Sequence, residues 1–75
     1  MEPYPARGGD SGVAAFEIRP EAIVLRFKDG GVYLYDRRKP GRHHVEQMKQ
    51  LARAGRGLAT YVNRNVRENY AARLE

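Results

Sequence analysis

At 75 residues the chain falls below the usual domain size of roughly 100 to 150, so it encloses one hydrophobic core and no more. It has no cysteine, which excludes disulfides, thiolate metal centres and cysteine nucleophiles and fits a reducing, cytoplasmic setting. Lys+Arg total 14 against 9 Asp+Glu, a formal net charge of +5 with a sequence pI near 10.0, and eleven of those cations are arginine.

The charge balance favours anionic partners, because a guanidinium pairs bidentately with phosphate and stacks on bases. The competing reading is that an arginine-rich surface reflects genomic base composition, since basic charge alone describes many unrelated small proteins. A chain this short buries only about 60% of its unfolded surface, which makes self-association favourable as well. The longest apolar stretch, Ala22 to Leu25, is far too short for a membrane span, and Met1 to Gly12 lacks the apolar run of a signal peptide.

In chain order, residues 1–12 carry Pro3, Pro5, Gly8, Gly9 and Gly12, a composition that predicts a flexible tail. A single α+β domain is expected over 13–75. Alternation over Val13 to Arg19 predicts a strand with Phe16 and Ile18 on one face and Glu17 and Arg19 on the other. After the break at Pro20-Glu21, a second strand sets Ile23, Leu25 and Phe27 against Arg26 and Lys28. Asp29-Gly30-Gly31 predicts a tight hairpin, and Val32 to Asp36 a third strand.

Register decides which side chains reach a ligand. A two-residue loop, Asp29-Gly30 or Gly30-Gly31, places Val32 and Leu34 with Ile23, Leu25 and Phe27, and turns Tyr33 and Tyr35 to the opposite face beside Val24, Arg26 and Lys28. A three-residue loop reverses this and sinks both tyrosines into the core.

Beyond the basic turn Arg37 to Gly41 the period changes. Val45, Met48, Leu51 and Ala52 fall at helical spacing up to Ala54, with Gly55-Arg56-Gly57 as the stop. Leu58, Tyr61, Val62, Val66, Tyr70 and Leu74 continue at three- and four-residue intervals, predicting a second helix from Leu58 towards Tyr70. The expected architecture is a three-stranded antiparallel β-meander followed by two short α-helices packed on one face.

Catalytic constellations are not evident. His43 and His44 point about 100° apart on a helix and have no third ligand nearby, so a metal site is not expected. The carboxylates are scattered, and Ser11 and Thr60 have no base and orienter beside them. No enzyme activity and no cofactor are expected. The informative pattern is Tyr33 and Tyr35 flanked by Arg26 and Lys28, the arrangement of a sheet face on which unpaired bases stack. The cluster Arg37, Arg38, Lys39 and Arg42 has no acidic residue within it and suits phosphate contacts, with Arg53 and Arg56 near the far end of the same helix.

The run Ala22-Ile-Val-Leu-Arg-Phe-Lys-Asp-Gly-Gly-Val-Tyr-Leu-Tyr35 resembles the KTSC domain, a small module found at the C-terminus of some lysyl-tRNA synthetases and as a stand-alone bacterial protein. The likeness covers Val13 to Tyr70, with Lys39-Pro40, Gly57 to Tyr61 and Tyr70 standing for the family's later turn and small-residue, glycine and aromatic segment. The chain departs from the pattern in its arginine-rich turn and its clearer first helix. The resemblance implies a β-meander with helices and an RNA-binding role, and it transfers no catalytic residue; Tyr33 and Tyr35 are the positions it carries across.

Two functions follow as expectations. One is a non-catalytic module that binds RNA or another single-stranded nucleic acid, stacking bases on Tyr33 and Tyr35 and holding phosphates with Arg26, Lys28, Arg37, Arg38, Lys39 and Arg42. The other is a protein-interaction module whose tyrosine face is covered by a second copy or a larger protein.

Overall fold

The computed structural model describes residues 1–9 and 12–75. Five antiparallel strands lie in the order of the chain: β1 (Glu2–Pro3), β2 (Val13–Arg19), β3 (Ala22–Phe27), β4 (Val32–Asp36) and, after both helices, β5 (Ala72–Arg73). The helices α1 (Arg42–Ala54) and α2 (Leu58–Asn65) stand between β4 and β5. The described residues are therefore α+β with an antiparallel sheet and two α-helices, but with five strands where three were expected.

The central strands form where alternation predicts them. Ile23, Leu25 and Phe27 face the helices, and Ile18 and Phe16 oppose Ile23 and Leu25 across β2 and β3. A register shift between Val13 and Ala15 brings Val13 opposite Phe27, a β-bulge that turns a residue three places before Phe16 onto the same core face. From α1 the core takes Val45, Met48 and Ala52, and from α2 Leu58, Ala59 and Val62, followed by Val66. The first helix ends as expected at Gly55, in a left-handed conformation whose N–H reaches the carbonyls of Leu51 and Ala52.

The β3–β4 turn corrects the two-residue loop. The N–H of Phe27 donates to Gly31 O (2.8 Å), leaving Lys28, Asp29 and Gly30 as a three-residue loop. The Asp29 Oδ1 accepts the N–H of Gly31 (3.0 Å), and Gly30 takes φ +100°. An aspartate that bonds the backbone two residues on builds its own turn and uses one residue more than a primed two-residue loop. Leu25 consequently pairs with Tyr33 and Ile23 with Tyr35. Both tyrosines turn to the helix side, while Val24, Arg26, Val32 and Leu34 share the other face.

The N-terminal segment is not the flexible tail that its composition predicts. Glu2 and Pro3 pair with Phe16 and Ala15. Tyr4 is buried against the edge of the Phe16 ring, its hydroxyl accepts the N–H of Leu58 (3.1 Å), and the N–H of Arg7 donates to Gly55 O (2.7 Å). Prolines restrict the unfolded chain and suit an edge strand, so this segment has less entropy to lose than its loop-like composition implies. Asp10 and Ser11, also within the expected tail, lie outside the described residues.

The second helix stops at Asn65 and does not run on to Tyr70. Asn63 and Asn65 sit at its end, where short amide side chains compete with the helix backbone; Asn65 Nδ2 donates back to Tyr61 O (3.0 Å). Val66 keeps its buried position. The chain then reverses and returns along β4, with Ala71 N–H on Leu34 O (2.8 Å) and Leu74 N–H on Val32 O (2.7 Å).

Candidate functional site

The tyrosines expected to form a stacking platform belong to an enclosed aromatic row. Tyr35 is 0% exposed; its hydroxyl donates to Arg67 O (3.3 Å), and burial pushes its pKa far above the usual tyrosine range. Tyr33 is half-buried. Its ring lies 5.4 Å from that of Phe27 and 4.7 Å from that of Tyr70, and Tyr70 also meets Tyr35 edge-on at 6.4 Å. The guanidinium of Arg67 sits 4.6 Å from the Phe27 ring centre, and that of Arg73 5.3 Å from the Tyr33 ring centre. These cations occupy faces that a base would need for stacking. A side chain on Gly31 would begin 2.7 Å from the Tyr33 ring, so one could be added there only by displacing the ring.

Arg26 is not brought to the tyrosines, and Lys28 is not brought to the basic turn that follows β4. Arg26 stands on the opposite sheet face, 4.0 Å from the Glu75 carboxylate. Lys28 lies in the β3–β4 loop, a strand length of about 17 Å from the β4–α1 turn.

That β4–α1 turn is where cations do assemble. Asp36 organises it: its Oδ1 accepts the N–H groups of Arg38 (2.9 Å) and Lys39 (3.0 Å), and its carbonyl accepts those of Lys39 (3.1 Å) and Gly41 (3.2 Å). The Lys39–Pro40 peptide within the turn is cis. With the backbone satisfied internally, Arg37, Arg38 and Lys39 point their side chains outward, and Arg42 opens α1 beside them. Among the described residues, no carboxylate lies within ion-pair distance of Arg38, Lys39 or Arg42.

Arg37 pairs with Glu21 (2.7 Å) from the β2–β3 turn. The two residues line a pair of adjoining hollows. One, of about 310 Å³, is completed by Arg42 and Glu46 over Val45 and Pro20. The other, of about 340 Å³, is bordered by Arg19, Arg38 and Asp36 over Ala22 and Leu34. Arg19 is the member that sequence reasoning missed; Arg38, which borders the same hollow, is nineteen positions on, and the pairing of β2, β3 and β4 brings the two turns together. Arg19 also bonds Glu17 (2.7 Å), which holds the Glu17 carboxyl below the usual range.

Two further polar side chains, His44 and Lys49, tie elements of the fold together. His44 Nδ1 is 2.6 Å from the Tyr61 hydroxyl, and burial raises the Tyr61 pKa. Lys49 is 4% exposed; its ammonium donates to Pro20 O (2.9 Å) and lies 3.3 Å from the Glu46 carboxylate, pinning the β2–β3 turn to α1. Among the described residues no three His, Cys, Asp or Glu side chains gather as metal ligands. Arg56 lies past the other end of α1, about 20 Å away along the helix, where it lines a separate hollow with Arg7.

Comparison of the chain with family models, with curated proteins and with solved structures finds no match. No described helix is long and apolar enough to cross a membrane.

Proposed function

We propose that the chain is a non-catalytic binding module that holds the phosphate backbone of RNA at the β4–α1 turn. The observation that carries this reading is a turn fastened by the Asp36 carboxylate, from which Arg37, Arg38 and Lys39 project beside Arg42 and Arg19. Arginine in such a cluster offers forked donors to phosphate oxygens, and each phosphate neutralised releases counterions and adds salt-dependent affinity.

The reading differs from the sequence expectation in how RNA is held. With Tyr35 buried and Tyr33 flanked by Tyr70 and Arg73, bases have no platform, so recognition rests on phosphate positions and carries little base preference. Arg26 and Lys28 are outside the contact surface.

Titrating a 20-nucleotide RNA into isotopically labelled protein tests this residue by residue. The expected result is backbone amide shifts confined to Arg19–Ala22 and Asp36–Arg42. Shifts concentrated on Tyr33, Tyr70 and Arg73 contradict it, and no shifts at low salt return the function to a protein partner or a second copy of the chain.

A further inference from the structure

We infer that Glu21 is an internal competitor for the phosphate that Arg37 would hold, and that the matching ligand is a chain of consecutive phosphates crossing the Glu21–Arg37 ridge between the two hollows. This rests on the phosphate-binding reading of the turn and adds to it a residue that sets its affinity.

Glu21 is the carboxylate common to both hollows, and Arg37 the cation common to both. Their side chains meet at 2.7 Å while remaining 61% and 58% exposed, and exposed pairs of this kind are weak enough for another anion to displace. Neither partner is placed by chance. The Lys49 ammonium, buried beneath the surface, holds the carbonyl of Pro20, the residue before Glu21, and the Asp36 turn fixes the residue after it, Arg37. The carboxylate is therefore presented to the guanidinium by two anchored turns.

Beyond the ridge each hollow has a cation that, among the described residues, no carboxylate pairs: Arg42 in one and Arg38 in the other, where Arg19 is itself held by Glu17. A single phosphate that takes Arg37 must displace Glu21 and gains one hollow. A phosphate chain displaces Glu21 once and gains both, because linked groups bind the second site at high effective concentration. Glu21 thus penalises single phosphates more than chains.

The test measures affinity for a 20-nucleotide single-stranded RNA and, separately, for inorganic polyphosphate, using the full chain with Glu21→Gln, Arg37→Gln and the double variant. Glu68→Gln, in the turn after α2, serves as the control for losing one negative charge. Thermal melting confirms that each variant is folded. The expected result is a gain of about threefold to fivefold for Glu21→Gln, a smaller change for Glu68→Gln, and loss of the gain when Arg37 is also replaced. A gain for polyphosphate alone supports the competitor and removes RNA as the ligand. Wild-type binding with Glu21→Gln no better than Glu68→Gln overturns the competitor and leaves the phosphate-binding reading standing. No binding of either probe by wild type or Glu21→Gln at low salt overturns both.

Discussion

Tyr35 stands opposite Ile23 across β3 and β4, on the side of the sheet that the helices cover. That pairing follows from one extra residue in the turn, since the Asp29 side chain bonds the Gly31 N–H and leaves Lys28, Asp29 and Gly30 in the loop. It changes the role of the Tyr33-Leu-Tyr35 motif from ligand contact to core.

The first prediction separates these roles. Tyr35→Ala removes a fully buried ring and should cost about 3–5 kcal/mol, the range for aromatic truncation in a core, enough to unfold much of a small domain. Tyr35→Phe removes only a long hydrogen bond to Arg67 O and should cost about 0.5–1.5 kcal/mol. Denaturant unfolding measures both, and folded Tyr35→Phe should bind RNA as wild type does.

The buried hydroxyl also sets an alkaline limit. Because the folded-state pKa of Tyr35 lies above its unfolded value, the folded protein binds more protons once the unfolded tyrosine ionises. The stabilising contribution is complete below about pH 10, the unfolded value, and is lost as pH rises through the folded one. Wild type should therefore lose stability above about pH 10, and Tyr35→Phe should lose less over the same interval.

The N-terminal segment gives a third prediction. Tyr4 joins β2 to the start of α2 by receiving the Leu58 N–H and packing on Phe16. Tyr4→Phe should cost about 1 kcal/mol by leaving that buried helix-terminal donor without its partner, and Tyr4→Ala about 3 kcal/mol or more by removing the ring. Equal melting temperatures for wild type and Tyr4→Ala would restore the flexible-tail reading.

Elements with strong local signals were legible in the sequence. Alternation marked β2, β3 and β4, and a helical period with a glycine stop gave α1 its bounds from Arg42 to Ala54. What escaped depended on contacts distant in sequence. Nothing local indicates that Tyr4 will reach Leu58, or that Tyr70, in helical phase with Val66, will leave the helix to meet Tyr33 and Tyr35. The site was half legible for the same reason. Arg37, Arg38, Lys39 and Arg42 are adjacent in the chain and stay together, whereas Arg19 and Glu21 reach them only through the β2–β3–β4 pairing.

The central claim is that RNA is held by its phosphates at the β4–α1 turn, and the salt dependence of affinity tests it most directly. With about four cations engaged, log K should fall against log salt with a slope of about −3. The folded double variant Arg38→Glu, Lys39→Glu should bind at least about tenfold more weakly, with a slope of about −1.5 or shallower. A slope near zero for wild type, or an unchanged slope and affinity for the folded variant, would contradict the account.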